Sequence, residues 1–78
     1  MARVNFYAAA RAAAGASDLK VPASSLGELI SSLGQLNQEM TKLLPTCSYL
    51  VNGESCTNME QSLIDGDNVD VLPQFAGG

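Results

Sequence analysis

The 78-residue sequence predicts an α+β domain, a mixed sheet packed on one main helix. Three observations predict it. Leu26, Leu29, Ile30 and Leu33 recur at helical spacing and form one apolar stripe that has to be buried against another layer. Segments that alternate polar and apolar residues open and close the chain, at Arg3–Tyr7 and around Val69–Val71, and read as half-buried strands. Asn52-Gly53 separates two further strand-like runs, and this dipeptide is the strongest short hairpin signal because both central positions of a type I′ turn need positive φ. A sheet covered on one face by the helix is the simplest way to bury the leucine stripe, and the pattern calls for about five strands.

The elements follow in order. Arg3-Val4-Asn5-Phe6-Tyr7 puts Val4 and Phe6 on one face of a first strand. Ala8 to Ala14 favours helix strongly and meets Gly15, a C-terminal cap, so one or two helical turns are expected there. Leu19-Lys20-Val21 alternates again before Pro22 as a short second strand. Ser25-Leu26-Gly27-Glu28 has the form of a capping box, in which serine and glutamate each satisfy an orphan amide of the first turn of the main helix, and Gly34 can end that helix. Leu36, Met40, Leu43 and Leu44 repeat the apolar spacing, predicting a second short helix that stops before Pro45.

Cys47–Val51 and Glu54–Cys56 flank the Asn-Gly turn as a hairpin, with Tyr49 rather than Cys47 opposite Cys56. Asp65-Gly66-Asp67 is a further turn, and Val69-Asp70-Val71 alternates as the last strand. Pro73 has no amide to donate, so the ladder should weaken there and release a tail. This divides the chain into a folded domain at residues 1–73 and a flexible tail at 74–78. The five residues beyond Pro73 span at most about 17 Å when extended.

Composition limits the function. At 46% hydrophobic and 15% charged residues the chain suits one small globular domain and not a disordered one. Four bases stand against three acids up to residue 42, and five acids with no base follow, a balance of +1 and −5 between the halves. Nucleic acid and anionic membranes are therefore poor partners, and a basic protein surface is a better one. No run approaches the roughly 18 apolar residues that cross a membrane, and Asn5 and Arg11 interrupt the one stretch that mimics a secretion signal. A cytoplasmic location is expected. Two cysteines and no histidine do not make an ordinary zinc site. Cys47 and Cys56 are expected to be buried free thiols with nothing to activate either as a nucleophile.

The chain ends in Gly77-Gly78. Glycine has no Cβ and reaches most of backbone space without penalty, so this tail can be threaded into a narrow site on another protein and offer its carboxylate there. Gly78 is the candidate reacting residue, and Gly77, Ala76, Phe75 and Leu72 are the candidate partner-binding residues. A Cβ at Gly78 would intrude at the reacting carbon, and one at Gly77 would restrict the backbone in a channel.

Val4-Asn5-Phe6-Tyr7-Ala8, the run Ala9-Ala10-Arg11-Ala12-Ala13-Ala14-Gly15, Val51-Asn52-Gly53-Glu54, Leu63-Ile64-Asp65-Gly66-Asp67 and Val71-Leu72-Pro73 through Gly78 occur in order over nearly the whole chain. This ordered set resembles the small sulfur-carrying subunit of molybdopterin synthase, of the MoaD/ThiS-type ubiquitin-like sulfur carriers. Gln74 stands where that family often carries a second proline, which makes the tail less stiff. The resemblance implies a β-grasp fold, with the two terminal strands side by side at the sheet centre. It implies that a ubiquitin-activating (E1-like) adenylyltransferase uses ATP and magnesium to adenylate Gly78, and that a sulfur donor enzyme then makes the thiocarboxylate. It further implies that the tail enters the molybdopterin synthase large subunit and gives its sulfur to cyclic pyranopterin monophosphate. The carrier itself would bind no cofactor or metal and catalyse nothing alone; its contribution is position. Alternative recipients are the thiazole of thiamine, an activated serine in cysteine synthesis, or a target lysine if the chain is a protein modifier. Thiazole carriers are usually shorter between their second and third strands, so Leu36–Leu44 counts against that recipient.

Overall fold

Strands form where the alternation demands them, and the register shows which residues become neighbours. In the computed structural model, which describes residues 1–74, the elements run β1 (Ala2–Phe6), α1 (Ala9–Ala14), β2 (Asp18–Val21), α2 (Leu26–Gly34), α3 (Gln38–Leu43), a 3-10 turn (Leu44–Thr46), β3 (Cys47–Val51), β4 (Glu54–Ser55) and β5 (Asn68–Pro73). The sheet order is β2-β1-β5-β3-β4. β1 and β5 pair in parallel at the centre, with Val4 opposite Val69 and Phe6 opposite Val71, and every other pairing is antiparallel. Two terminal strands side by side, with helices over one face, are the β-grasp arrangement.

The parity of each strand decides its buried face. Val4, Phe6, Val69 and Val71 are completely buried under Leu26, Leu29, Leu33 and Met40. Each such leucine contributes roughly 2–3 kcal/mol through the apolar surface it removes from water. Ile30, the fourth member of the expected stripe, is only half-buried at the edge of the helix face. Leu36 departs further. It is 46% exposed because it falls in the link between α2 and α3, just before the new cap at Asn37.

The caps show how local chemistry starts and stops the helices. Ser25 Oγ accepts the Glu28 amide, as the capping box requires, but the Glu28 carboxylate takes the Ser24 hydroxyl at 2.6 Å, so the return arm of the box is shifted by one residue. Asn37 caps α3 by accepting the Met40 amide at 2.8 Å and uses its own amide to reach Ala13 O, tying α3 to α1. The regular helix α3 ends at Leu43, and Pro45 is accommodated in the tighter 3-10 turn that follows. Gly15, at φ 73, closes α1 in the left-handed region. At the other end of α1, Ala8 lies outside the helix at φ 50, a strained backbone for a residue with a Cβ.

The hairpin forms as its dipeptide predicts, with Asn52 at φ 51 and Gly53 at φ 84. The Cys56 amide donates to Tyr49 O, which places those two residues opposite each other. Cys47 and Cys56 are free thiols but half-buried rather than buried, because both lie toward the open β3–β4 edge of the sheet. Gly27 in α2 allows a close approach: its amide donates to Met59 O at 2.8 Å, and a Cβ there would stand 3.0 Å from that same oxygen. No helix among the described residues is long and apolar enough to cross a membrane.

Candidate functional site

The parallel pairing of β1 with β5 makes the last strand a central one, so the chain leaves the folded body from the middle of the sheet. Its final described residues are held closely. Pro73 is buried and paired with Cys47, and the Gln74 amide donates to Thr46 O at 3.1 Å. The strand ladder ends at Pro73, where the missing amide leads the sequence to expect it to weaken, and one further hydrogen bond holds Gln74. A proline lacks only its own amide; its neighbour Gln74 supplies the next donor to the turn before β3. That turn is itself pinned. The Tyr49 hydroxyl donates to Leu44 O at 2.9 Å, and Thr46 Oγ1 donates to Leu43 O at 2.7 Å.

Of the five candidate residues, Leu72 lies within the described chain, whereas Phe75, Ala76, Gly77 and Gly78 lie outside the described residues. Leu72 is half-buried opposite Ser48, on the sheet face turned away from the helices, because Val71 and Pro73 take the core side. Leu50 shares this outer face and is also half-buried, opposite Asp70. Tyr7, one residue past the end of β1, is 40% exposed. The outer face carries an acidic row as well: Asp18 pairs with Asn5, Asn5 with Asp70, and the Asn5 amide donates to the Asp70 carboxylate at 3.0 Å. The result is two leucines with the Asp70 carboxylate beside them, near the end of the last strand, while Asp18 stands on the far edge strand with Arg3 3.9 Å away. Leu50 and Tyr7 were not among the candidates read from the sequence. The available signal was the run Tyr49-Leu50-Val51, apolar on both parities where a one-sided strand would alternate.

The chemistry available in the folded body is limited. The chain has no histidine, and no group of three Cys, Asp or Glu side chains among the described residues is placed to hold a metal ion. Burial pushes the Cys47 thiol above its ordinary range, and the polar side chain of Thr46 beside it offsets part of that effect. Cys47 Sγ donates to Leu43 O at 3.4 Å, so the thiol is occupied as a donor and disfavoured as a nucleophile.

The profile of the ThiS family matches residues 4–78. The chain belongs to the ThiS family. Members are small ubiquitin-like sulfur carriers or modifiers, and the solved structures that match share the β-grasp fold found here. Small archaeal modifier protein 1 from Methanosarcina acetivorans superposes with a TM-score of 0.87 at 21% identity, over 99% of this chain and 95% of that one. The complex of subunits 1 and 2 of molybdopterin-converting factor from Helicobacter pylori gives 0.75 at 26% identity, over 99% of this chain and 97% of the matched chain. The Amycolatopsis orientalis BexX/CysO complex gives 0.80 at 20% identity over the full length of both chains. No curated protein sequence matches this ThiS-family chain.

Proposed function

We propose that this ThiS-family chain is the sulfur carrier of a molybdopterin synthase, working through the carboxylate of Gly78. The observation that carries the reading is the likeness to subunit 1 of molybdopterin-converting factor, at 26% identity over 99% of this chain. The segment α3 with its 3-10 turn, between β2 and β3, supports it over a thiazole carrier.

A carboxylate is a poor electrophile, so it has to acquire a leaving group first. An adenylyltransferase resembling a ubiquitin-activating enzyme supplies ATP and magnesium; the Gly78 carboxylate oxygen attacks the α-phosphorus and pyrophosphate leaves. Sulfur from a donor enzyme then takes the place of AMP at the carbonyl carbon, leaving a thiocarboxylate. The large subunit accepts the loaded tail and directs its sulfur to cyclic pyranopterin monophosphate. The carrier contributes docking: Leu50 and Leu72, with Asp70 beside them, suit a partner surface with an apolar patch and a basic group at its rim, and Gln74 sets the point from which the tail departs.

The experiment has two stages. Incubation with a cognate activating enzyme, ATP, magnesium and a sulfur source should replace one C-terminal oxygen by sulfur in the intact mass, and Gly78→Ala should abolish it. The loaded protein, mixed with a molybdopterin synthase large subunit and cyclic pyranopterin monophosphate, should form molybdopterin. Failure of the first stage removes sulfur carriage. Success in the first with failure in the second removes the molybdopterin recipient and leaves cysteine synthesis or protein conjugation to be tested by the same loaded protein.

A further inference from the structure

Asn52 does more than supply the positive φ of the hairpin turn. Its backbone amide donates to Asn68 O at 2.7 Å, its side-chain oxygen accepts the Asn68 amide at 2.9 Å, and its side-chain nitrogen donates to Asp67 Oδ1 at 3.0 Å. The other oxygen of Asp67 accepts the Ile64 amide at 2.8 Å. One carboxamide thus joins the β3–β4 turn to the turn that begins β5, and both of its ends are used. The residue after it is glycine, whose amide nitrogen is crowded by no Cβ.

We propose that Asn52-Gly53 is a deamidation site gated by this clasp. In the reaction the Gly53 amide nitrogen attacks Asn52 Cγ. The new N–C bond closes a succinimide, and the side-chain nitrogen leaves as ammonia with the proton lost by Gly53. Water, the only other reactant, then opens the ring at either carbonyl to give aspartate or isoaspartate. No electrons are transferred. With both ends of the carboxamide held across the corner by Asn68 and Asp67, Cγ is kept from the Gly53 nitrogen, so conversion requires the corner to open.

The product does not fit back. Aspartate at 52 loses the donor to Asp67 and sets a second carboxylate where the two partners now stand 3.0 Å apart. Isoaspartate also adds a methylene to the backbone inside a two-residue turn, which breaks the register set by Val51 opposite Glu54. Each event is therefore a one-way release of β3 from the start of β5, and those that open to isoaspartate create a substrate for S-adenosylmethionine-dependent carboxyl methylation. The proposal does not rest on the sulfur-carrier reading.

The test follows the rate of conversion at Asn52 by peptide mass and by isoaspartyl methyl acceptance. The folded full chain is compared with the same chain in urea and with Asp67→Ala in buffer. Conversion should be slow in the folded protein and fast in urea. Asp67→Ala removes the charged acceptor of the Asn52 carboxamide along with the bond from the Ile64 amide, and loss of the first should raise conversion about tenfold or more. That rise should exceed the variant's increase in globally unfolded fraction, measured by urea titration. Equal rates in folded wild type and Asp67→Ala, or a rise that only matches global unfolding, would overturn the gate. As a second arm, Asn52→Asp should speed hydrogen exchange at the Asn68 amide while leaving the Val4 and Phe6 amides unchanged. Unaltered exchange at Asn68 would show that the clasp does not hold the corner and would equally overturn it.

Discussion

Tyr49 tests the packing around the departing chain with a pH signature that ordinary destabilisation cannot imitate. Its ring is 8% exposed, and its hydroxyl donates to Leu44 O at 2.9 Å. Burial, followed by the nearby Cys47, pushes its pKa from the ordinary 10.0 up to about 12. The protonated phenol is thus the form that the fold prefers. Its contribution is complete below pH 10, where the unfolded chain is also protonated, and is lost as pH rises through the folded value. A shift of that size corresponds to about 3 kcal/mol between the two limits. Tyr49→Phe keeps the ring and discards the hydrogen bond, costing about 1 kcal/mol at neutral pH. The variant has no phenol to ionise, so its stability should not share the alkaline loss. The two curves should cross near pH ~11, where the wild type has lost about 1 kcal/mol through ionisation. Urea unfolding of both proteins at several pH values gives the crossing directly, because the other titrating groups are common to the pair and, Cys47 excepted, cancel. A phenolate absorbance step that disappears in Tyr49→Phe supplies the independent check. Parallel curves from neutral to strongly alkaline pH would refute the reasoning, since they would mean that the hydroxyl is neither buried nor bonded in the native state.

Two further perturbations probe the caps. Ala8 stands at φ 50 and ψ −126, which glycine adopts freely, so Ala8→Gly should raise stability by about 1 kcal/mol despite glycine's greater unfolded-state entropy, read as an increased urea midpoint. Asn37→Ala removes both the α3 cap and the bond to Ala13 O and should cost about 2 kcal/mol, whereas Asn37→Asp keeps the cap acceptor and should lose less; urea titration of the three proteins separates the two contacts.

The local devices of this fold were legible because each is written in a few adjacent residues. A serine before an apolar stripe makes the α2 start, and Asn-Gly forces the β3–β4 turn whatever surrounds it. Of the candidate site, the outward position of Leu72 was legible, since it follows from its alternation with Val71 and Pro73. Leu50 and Tyr7 were not legible. They become part of a surface only when β1 and β3 are set on either side of β5. Leu36 shows the opposite failure. Its spacing fits the helical repeat, but an asparagine cap interrupts the helix beside it and leaves the side chain in solvent.

By itself, then, the order of residues determined the kind and sequence of the main elements, the buried parity of the first and last strands, and the hairpin. These depend on periods of two and 3.6 residues and on backbone preferences that act within a turn. The tertiary structure alone decided that β1 and β5 lie side by side in parallel and that Gln74 is tied to Thr46. It also decided that Asn52 reaches across to Asp67 and Asn68. Such contacts join residues distant in the chain, and periodicity shows which way a side chain faces without showing what it will meet.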